Sequence, residues 1–372
     1  MKFMALGGTD HIGASCYYLE LDGTRFLLDL GRGFHNGGIS YGPDFDTLLQ
    51  RETTDLTSLS QINAVLLSHG HYDHAAALPD FTAHSPEVPV YATTLTHALM
   101  DYLLLDRLHY DPHRSQNMQF IRRIQTLQGL ERVQHISYLR PFYVGNVEIT
   151  AYEAGHVPGA AMFLLKSSEG NVLYTGDFMM EKTALTHGVL LPENLRPDVA
   201  ILCGTHAQHP NWQRRRKIEL DSVRQGLNTF REVFITTTQL TKGLEVAKYL
   251  GEYLSDEPIY LDEPILALAE RLERVSCGVL NGKFCPFPQD LDSPSRPKGI
   301  YIGGKEKSNS FQWKVRGDFS LHASYEDCVK LIRQIEAKAI FLVHSEPDVI
   351  GGANLRQHGK IICPEQGNLY KN

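Results

Sequence analysis

Three imidazoles and a carboxylate fall within six residues, at His69, His71, Asp73 and His74, in the segment Ser68-His69-Gly70-His71-Tyr72-Asp73-His74. Neutral imidazoles and ionised carboxylates are good ligands for zinc and similar divalent ions, and i, i+2 spacing on an extended or sharply turned backbone aims successive side chains at one point. One ion can take His69 and His71, and a second Asp73 and His74. The apolar run Ile62-Asn63-Ala64-Val65-Leu66-Leu67 just before them reads as a buried strand, which makes the segment a metal-binding loop at a strand end. A merely polar, histidine-rich loop is the competing reading. It leaves unexplained why four ligand-type residues gather there and why more follow downstream.

Those further residues also stand at the ends of strand-like runs. His156 follows the alternating segment Val147-Glu148-Ile149-Thr150-Ala151-Tyr152, Asp177 follows Val172-Leu173-Tyr174-Thr175, and His344 follows Ala339-Ile340-Phe341-Leu342-Val343. Any one of them alone is as well explained by a hydrogen-bonded loop, and His344 alone is better explained so. Together with the first cluster they make five histidines and two aspartates, enough for two metals with a bridging carboxylate and an open water position. A purely structural metal site fits less well, because such sites close with four protein ligands, often thiolates, and none of the six cysteines falls in the cluster.

The His69-Gly70-His71-Tyr72-Asp73-His74 loop resembles the signature of the metallo-β-lactamase fold, with His156 and Asp177 at its next two ligand motifs. Asp29, in Leu27-Leu28-Asp29-Leu30-Gly31, resembles that family's early structural aspartate, which supports the metal loop without being a ligand. Gly7-Gly8 with Ile12-Gly13-Ala14-Ser15-Cys16, the stretch Ala154-Gly155-His156-Val157-Pro158-Gly159, and Tyr174-Thr175-Gly176-Asp177-Phe178 resemble the β-CASP branch. That branch contains RNA 3′-end cleavage factors, bacterial ribonucleases of the J type and DNA-end-processing nucleases. Asp318-Phe319-Ser320-Leu321-His322-Ala323-Ser324 resembles its second signature and Val343-His344-Ser345-Glu346 its third. The first signature departs from the pattern: Cys203 stands where the branch has an acid thought to orient the second-signature histidine, here His322. A thiol is a weak partner and carries no charge unless ionised. His206 and Glu245 are the available substitutes.

The resemblance implies two divalent ions, zinc or else manganese, with His69, His71 and His156 around one, Asp73, His74 and His344 around the other, and Asp177 bridging. Coordination lowers the pKa of water to about 7, which supplies a nucleophile for phosphodiester hydrolysis. Asp73 would orient that nucleophile as well as bind metal. His322 would contact the scissile phosphate and protonate the leaving oxygen, a role suited to a side chain titrating near neutrality. The substrate implied is nucleic acid, RNA or single-stranded DNA. A hydrolase of a small thioester, lactone or phosphoester is the main alternative, and it shares the metal ligands but gives no reason for His322. A non-catalytic subunit of a processing complex is the second, against which the intact ligand set weighs.

The elements expected around these residues form an α/β protein: an αββα sandwich over residues 1–202 and 300–372, with a smaller β-CASP-like α/β domain inserted at 203–299. Helices are expected at 75–81, within 96–136, and at 215–230, 244–254 and 265–275, the last three alternating with strands at 233–237 and 258–261. The apolar spacing of Leu99, Met100, Tyr102, Leu103, Leu104 and Leu108 fits packing against the sheet. Thr241-Lys242-Gly243-Leu244-Glu245-Val246 is a loose match to a helix start of the branch, whose inserts are mostly longer than this one.

A chain of 372 residues has room for such a pair of domains. Its net charge of −7 argues against nonspecific coating of nucleic acid, which needs clustered cations. Part of the acidic count is metal ligand, however, and bound cations reverse the local field. Arg214-Arg215-Arg216-Lys217 is the one dense basic run, and a solvated helix face explains it as well as a substrate-guiding role does. No apolar segment approaches a membrane span, and Met1-Lys2-Phe3-Met4-Ala5-Leu6 enters a strand-like pattern instead of a signal peptide's apolar run, so a cytoplasmic protein without membrane partners is expected. The scattered cysteines form no CxxC pair and no disulfide framework, and free thiols are expected, although Cys277 and Cys285 flank a glycine-containing stretch that could let them pair.

Overall fold

A computed structural model describes residues 1–9, 12–35, 40–50, 54–107, 116–207, 218–276, 284–317, 319–345 and 354–371. The basic run at 214–217, Cys277, Asp318 and Glu346 lie outside the described residues. The chain divides into two compact units, one of Met1–Glu181, Gly188–Asn211 and His322–Asn372, the other of Lys182–His187 and Trp212–Leu321.

The larger unit is built on two seven-stranded mixed sheets of like design. The first runs Leu369–Lys371, Lys2–Gly7, Cys16–Leu21, Thr24–Leu28, Ala64–Leu66, Val90–Thr93, Val133–Ile136, antiparallel up to Thr24–Leu28 and parallel beyond it. The second runs Phe142–Val144, Val147–Glu153, Ala161–Ser167, Gly170–Tyr174, Val199–Cys203, Ala339–Val343, Ile361–Ile362, again antiparallel and then parallel. Alternation along each strand assigns the faces. Phe3 and Ala5 join Tyr17, Phe26 and Leu66 in one core with Ile149, Phe163 and Ile201 of the second sheet, while Met4 and Leu6 turn to the opposite face and pack with Val65, Leu78, Phe81, Met100 and Leu104. The central strands of the first sheet are thus apolar on both sides, as covered strands must be. Burying each such Phe, Leu or Met stabilises the fold by roughly 1.5–3 kcal/mol.

Helices Tyr72–Ala75, Leu78–His84 and Thr94–Arg107 lie beyond the first sheet. The helix Tyr325–Ile335 buries Cys328, Leu331, Ile332 and Ile335 along one stripe. This is the αββα sandwich expected. The single helix expected at 75–81 is two, because Pro79 lacks the amide a continuous helix needs there and instead sits in the first turn of the second helix. The helical stretch expected at 96–136 ends in a strand, Val133–Ile136, whose Val133 completes the apolar cluster below it. No helix among the described residues is long and apolar enough to cross a membrane.

The smaller unit carries a five-stranded, all-parallel sheet in the order Phe284–Pro286, Ile259–Leu261, Gly299–Gly303, Glu232–Thr236, Lys314–Arg316, with helices Leu220–Phe230, Leu240–Tyr253 and Glu263–Val275. Its central strand is Gly299–Gly303, so this sheet extends past the 203–299 stretch marked out from the sequence and takes in residues up to Arg316. Phe234, Tyr301 and Phe311 form its aromatic core. Glu232 is held by Arg296 through two bonds of 2.7 and 2.9 Å, with both side chains nearly buried and the guanidinium over the Phe311 ring at 4.2 Å.

Candidate metal centre

The strand Ala64–Leu66 ends two residues before Ser68, and from there the backbone turns sharply into the one-turn helix Tyr72–Ala75, which His71 precedes. That turn points His69, His71, Asp73 and His74 toward the ends of three strands of the second sheet. His156 comes from the turn between Val147–Glu153 and Ala161–Ser167, Asp177 from the loop after Gly170–Tyr174, and His344 from the end of Ala339–Val343. Gly176 makes the approach possible: its φ is +53°, and a Cβ there would lie 2.4 Å from the Ser68 side chain.

All seven ligand-type residues converge. Ligand atoms of His69, His71 and His156 lie within 4.8 Å of one another, as do those of Asp73, His74 and His344, and those of His69, His74 and Asp177. Asp177 stands between the sets: its Oδ2 is 3.6 Å from Nε2 of His74, 3.9 Å from that of His156 and 4.0 Å from that of His69, while its Oδ1 is 3.9 Å from Nε2 of His344. His71 Nδ1 and His156 Nε2 are 3.1 Å apart, and His344 Nε2 is 3.6 Å from Asp73 Oδ2.

The donor set fits divalent ions. Nε2 of His69, His74 and His344 and Oδ1 of Asp177 are buried without a hydrogen-bond partner, an arrangement that costs free energy unless a cation satisfies it. Their opposite ring nitrogens are engaged. The Asp29 carboxylate accepts from Ser68 N at 2.6 Å, Ser68 Oγ at 2.7 Å, His74 Nδ1 at 2.6 Å and the Tyr174 hydroxyl. Since Ser68 Oγ donates to Asp29, it accepts from His69 Nδ1 at 3.0 Å. His344 Nδ1 pairs with Ser15 Oγ at 2.7 Å. The bonds that run to Asp29, directly from His74 and through Ser68 from His69, keep a proton on Nδ1 and turn Nε2 to a metal, while the Ser15 bond orients the His344 ring. Asp29 and Tyr174 are 145 residues apart, and neither Ser15, Ser68 nor Tyr174 has a role that spacing alone reveals.

Electrostatics hold three of the imidazoles neutral, as ligation requires, and leave His74 charged, so that a cation there would have to displace its Nε2 proton. Burial lowers the His69 and His344 imidazoles below their usual range and takes His71 to about 4, so these rings are neutral at physiological pH. His74 is lifted to about 9: burial opposes its charge, but Asp177, Asp29 and Asp73 together outweigh burial. Asp177 is likewise held well below the carboxylate range against burial by His344, His74 and His322.

His322 joins the same cluster. Its Nε2 is 3.2 Å from Asp177 Oδ2, its ring centroid is 4.5 Å from that of His156, and its side chain keeps 18% of its surface exposed. The backbone just after it is pinned by a capping box, in which Ser324 Oγ accepts from Asp327 N and the Asp327 carboxylate accepts from Ser324 N, opening the helix Tyr325–Ile335. Cys203, by contrast, ends its strand beside Val343 and faces the core between the sheets, where burial and the Asp177 and Asp29 carboxylates push its thiol well up. A neutral thiol there supplies no charge. His206 also lies against His322, with rings edge to face at 5.6 Å and 88°. Glu245 accepts instead from the backbone amides of Ala184 and Leu185, which ties Lys182–His187 into the smaller unit.

Comparison with known proteins points the same way. The family model of the metallo-beta-lactamase superfamily matches residues 10–206, and that of the Zn-dependent metallo-hydrolase RNA specificity domain matches residues 314–357. Similar proteins include the endoribonuclease ysh-1 of Neurospora crassa, 28% identical over 270 residues covering 71% of this chain and 31% of that protein, and the cleavage and polyadenylation specificity factor subunit 3-I of Arabidopsis thaliana, 28% identical over 263 residues covering 70% and 36%. The match therefore spans about a third of the length of these relatives. A solved structure of a protein of unknown function from Enterococcus faecalis V583 shares the fold over 99% of both chains, with a TM-score of 0.65 at 16% identity.

Proposed function

This chain belongs to the metallo-β-lactamase superfamily, in its β-CASP branch, and on that footing we propose that it is a metal-dependent nuclease hydrolysing phosphodiester bonds of RNA. The observation that carries the reading is the convergence of seven buried or half-buried ligand-type side chains whose ring nitrogens and carboxylate oxygens face one another beside His322. His69, His71 and His156 would hold one zinc, Asp73, His74 and His344 a second, and Asp177 both. Ions bound there lower the pKa of water to about 7 and offset the charge of a phosphate.

The chain's own groups complete the site. Asp73, half-buried at its mouth, accepts a proton from the attacking water and orients it. His322 Nε2 donates a proton to the leaving oxygen, and its partial exposure gives a substrate access that the fully buried ligands lack. Residues 182–187 and 212–321 would form the β-CASP-like domain that guides the strand. The names of the relatives support RNA over DNA and cleavage within the chain over trimming from an end.

Purified protein with Zn²⁺ or Mn²⁺, assayed on end-labelled RNA, single-stranded DNA, a phosphodiester reporter and a thioester reporter, tests this. Internal RNA products are expected. Turnover of the thioester without any of the RNA would replace the nuclease with a small-ester hydrolase.

A further inference from the structure

The metal loop carries one residue that the chemistry above leaves unused. Tyr72, between His71 and Asp73, stacks its ring on Phe34, with centroids 5.0 Å apart and planes at 12°. Phe34 nonetheless remains 49% exposed. A half-exposed phenylalanine held parallel to another ring gains only part of its burial free energy from the fold, so packing alone accounts poorly for its being held there.

It is held firmly. The segment leading to it is laced onto the metal loop: Leu30 N donates to His74 O at 2.8 Å and Arg32 N to Tyr72 O at 3.2 Å. Gly31 allows the approach, since a Cβ there would lie 1.8 Å from the Asp73 carbonyl oxygen. Phe34 then pairs with Ser40 across a two-stranded ribbon. Ser40 Oγ shares a hydrogen bond of 3.0 Å with the Tyr72 hydroxyl and accepts from Arg32 Nε at 2.9 Å, and Arg32 in turn donates to Asp80 at 2.8 Å. Both rings are therefore oriented before any ligand arrives.

We infer that Phe34, backed by Tyr72, is a stacking platform for an unpaired nucleobase of the strand whose phosphate enters the metal centre. An aromatic face suits any base, because every base has a π face, and stacking of this kind needs a single-stranded substrate. Consecutive Cα atoms are about 3.8 Å apart, so Tyr72 stands one residue from ligands on either side. The base on Phe34 accordingly belongs to a nucleotide close to the scissile one. The inference rests on the nuclease reading, and it makes the site a positioner of unstacked strand, with Phe34 contributing to binding and not to bond cleavage.

The test compares wild type, Phe34→Ala and Phe34→Trp on a short single-stranded RNA and on bis(p-nitrophenyl) phosphate, which has no base to stack. The ratio of kcat/KM for RNA to that for the reporter should fall about tenfold or more in Phe34→Ala, mainly through KM, and be kept by Phe34→Trp. A single abasic site moved along the RNA should reproduce that loss in wild type at one position and add nothing to Phe34→Ala. An unchanged ratio, with both substrates falling together or neither falling, would overturn the platform and leave Phe34 as loop packing. If wild type cleaves the reporter but no RNA, the nuclease reading fails by itself. Fluorescence anisotropy of the labelled RNA then decides the platform: a Kd raised about tenfold by Phe34→Ala retains it and an equal Kd removes it.

Discussion

Asp29 and His74 are fully buried and joined by a 2.6 Å hydrogen bond from His74 Nδ1 to the Asp29 carboxylate, with Nε2 of the same ring turned toward Asp177 at 3.6 Å. Because an ionised carboxylate only accepts, Asp29 dictates the His74 tautomer. Through Ser68 it dictates that of His69 as well. One acid outside the candidate ligand set thus orients two candidate ligands.

Replacing it should be felt at the metal first. Asp29→Ala is expected to weaken zinc binding about 10–100-fold, since partners that orient ligands typically carry that much. Competition against a chromophoric chelator measures it. Affinity equal to wild type would show that the loop holds its ligands without Asp29.

What sequence revealed of this centre was residue type and strand-end position. The loop from His69 to His74 advertises itself because four ligand types crowd one strand end, whereas Ser15, Ser68 and Tyr174 are ordinary strand and loop residues until folding brings them to His344 and Asp29. Long-range pairing hid the extent of the smaller sheet for the same reason. Gly299–Gly303 looks like any short apolar strand, and only its parallel partners Glu232–Thr236 and Ile259–Leu261 reveal which sheet it completes. The place of Cys203 was legible as a departure from a motif, but that its side chain points into the inter-sheet core was not.

Two ions per chain are expected, because His69, His71 and His156 form one triad and Asp73, His74 and His344 another, with Asp177 beside both, and one ion cannot serve all seven at once. Elemental analysis after gentle purification checks the number. Less than one metal per chain, with no uptake from added Zn²⁺ or Mn²⁺, would defeat the binuclear reading.

Asp177→Ala should abolish hydrolysis and leave a folded chain. The carboxylate lies among the imidazoles of His69, His74, His156 and His344 and, on the proposed reading, would keep them in register around the ions, but it is one polar contact in a unit whose core is built elsewhere. Circular dichroism and turnover together decide the point, and a variant as active as wild type would remove Asp177 from the bridging position.

The smaller unit should depend on Glu232. Removing one partner of a nearly buried, doubly bonded ion pair leaves the Arg296 guanidinium uncompensated, and such losses cost about 3–5 kcal/mol. Lys298, 3.5 Å from the same carboxylate, loses its partner too. Glu232→Ala is therefore expected to lower the Tm of the unfolding transition that reports on this unit, while metal content stays at the wild-type value. A Tm unchanged within error would mean that solvent reaches the pair.

His322→Ala separates the nuclease from a small-ester hydrolase. If His322 protonates the leaving oxygen without being needed to hold metal, its loss should spare metal content and cost about 10²–10⁴-fold in turnover of RNA. On the small-ester reading it has no obligatory part, and activity on the true substrate should survive. Its orientation is the second question, because the acid of the branch is absent. Cys203→Glu is expected to destabilise the chain instead of rescuing it, since a carboxylate at that buried position would meet Asp177 and Asp29 with no cation of its own. His206, packed edge-on against the His322 ring, is a neighbour positioned to help hold it beside Asp177 and His156. His206→Ala should lower kcat with little change in KM or bound metal, and His206→Phe, which keeps an aromatic edge, should recover most of the loss. If His206→Ala matches wild type while Cys203→Glu raises nuclease activity, then position 203 governs His322 and the packing against His206 is incidental.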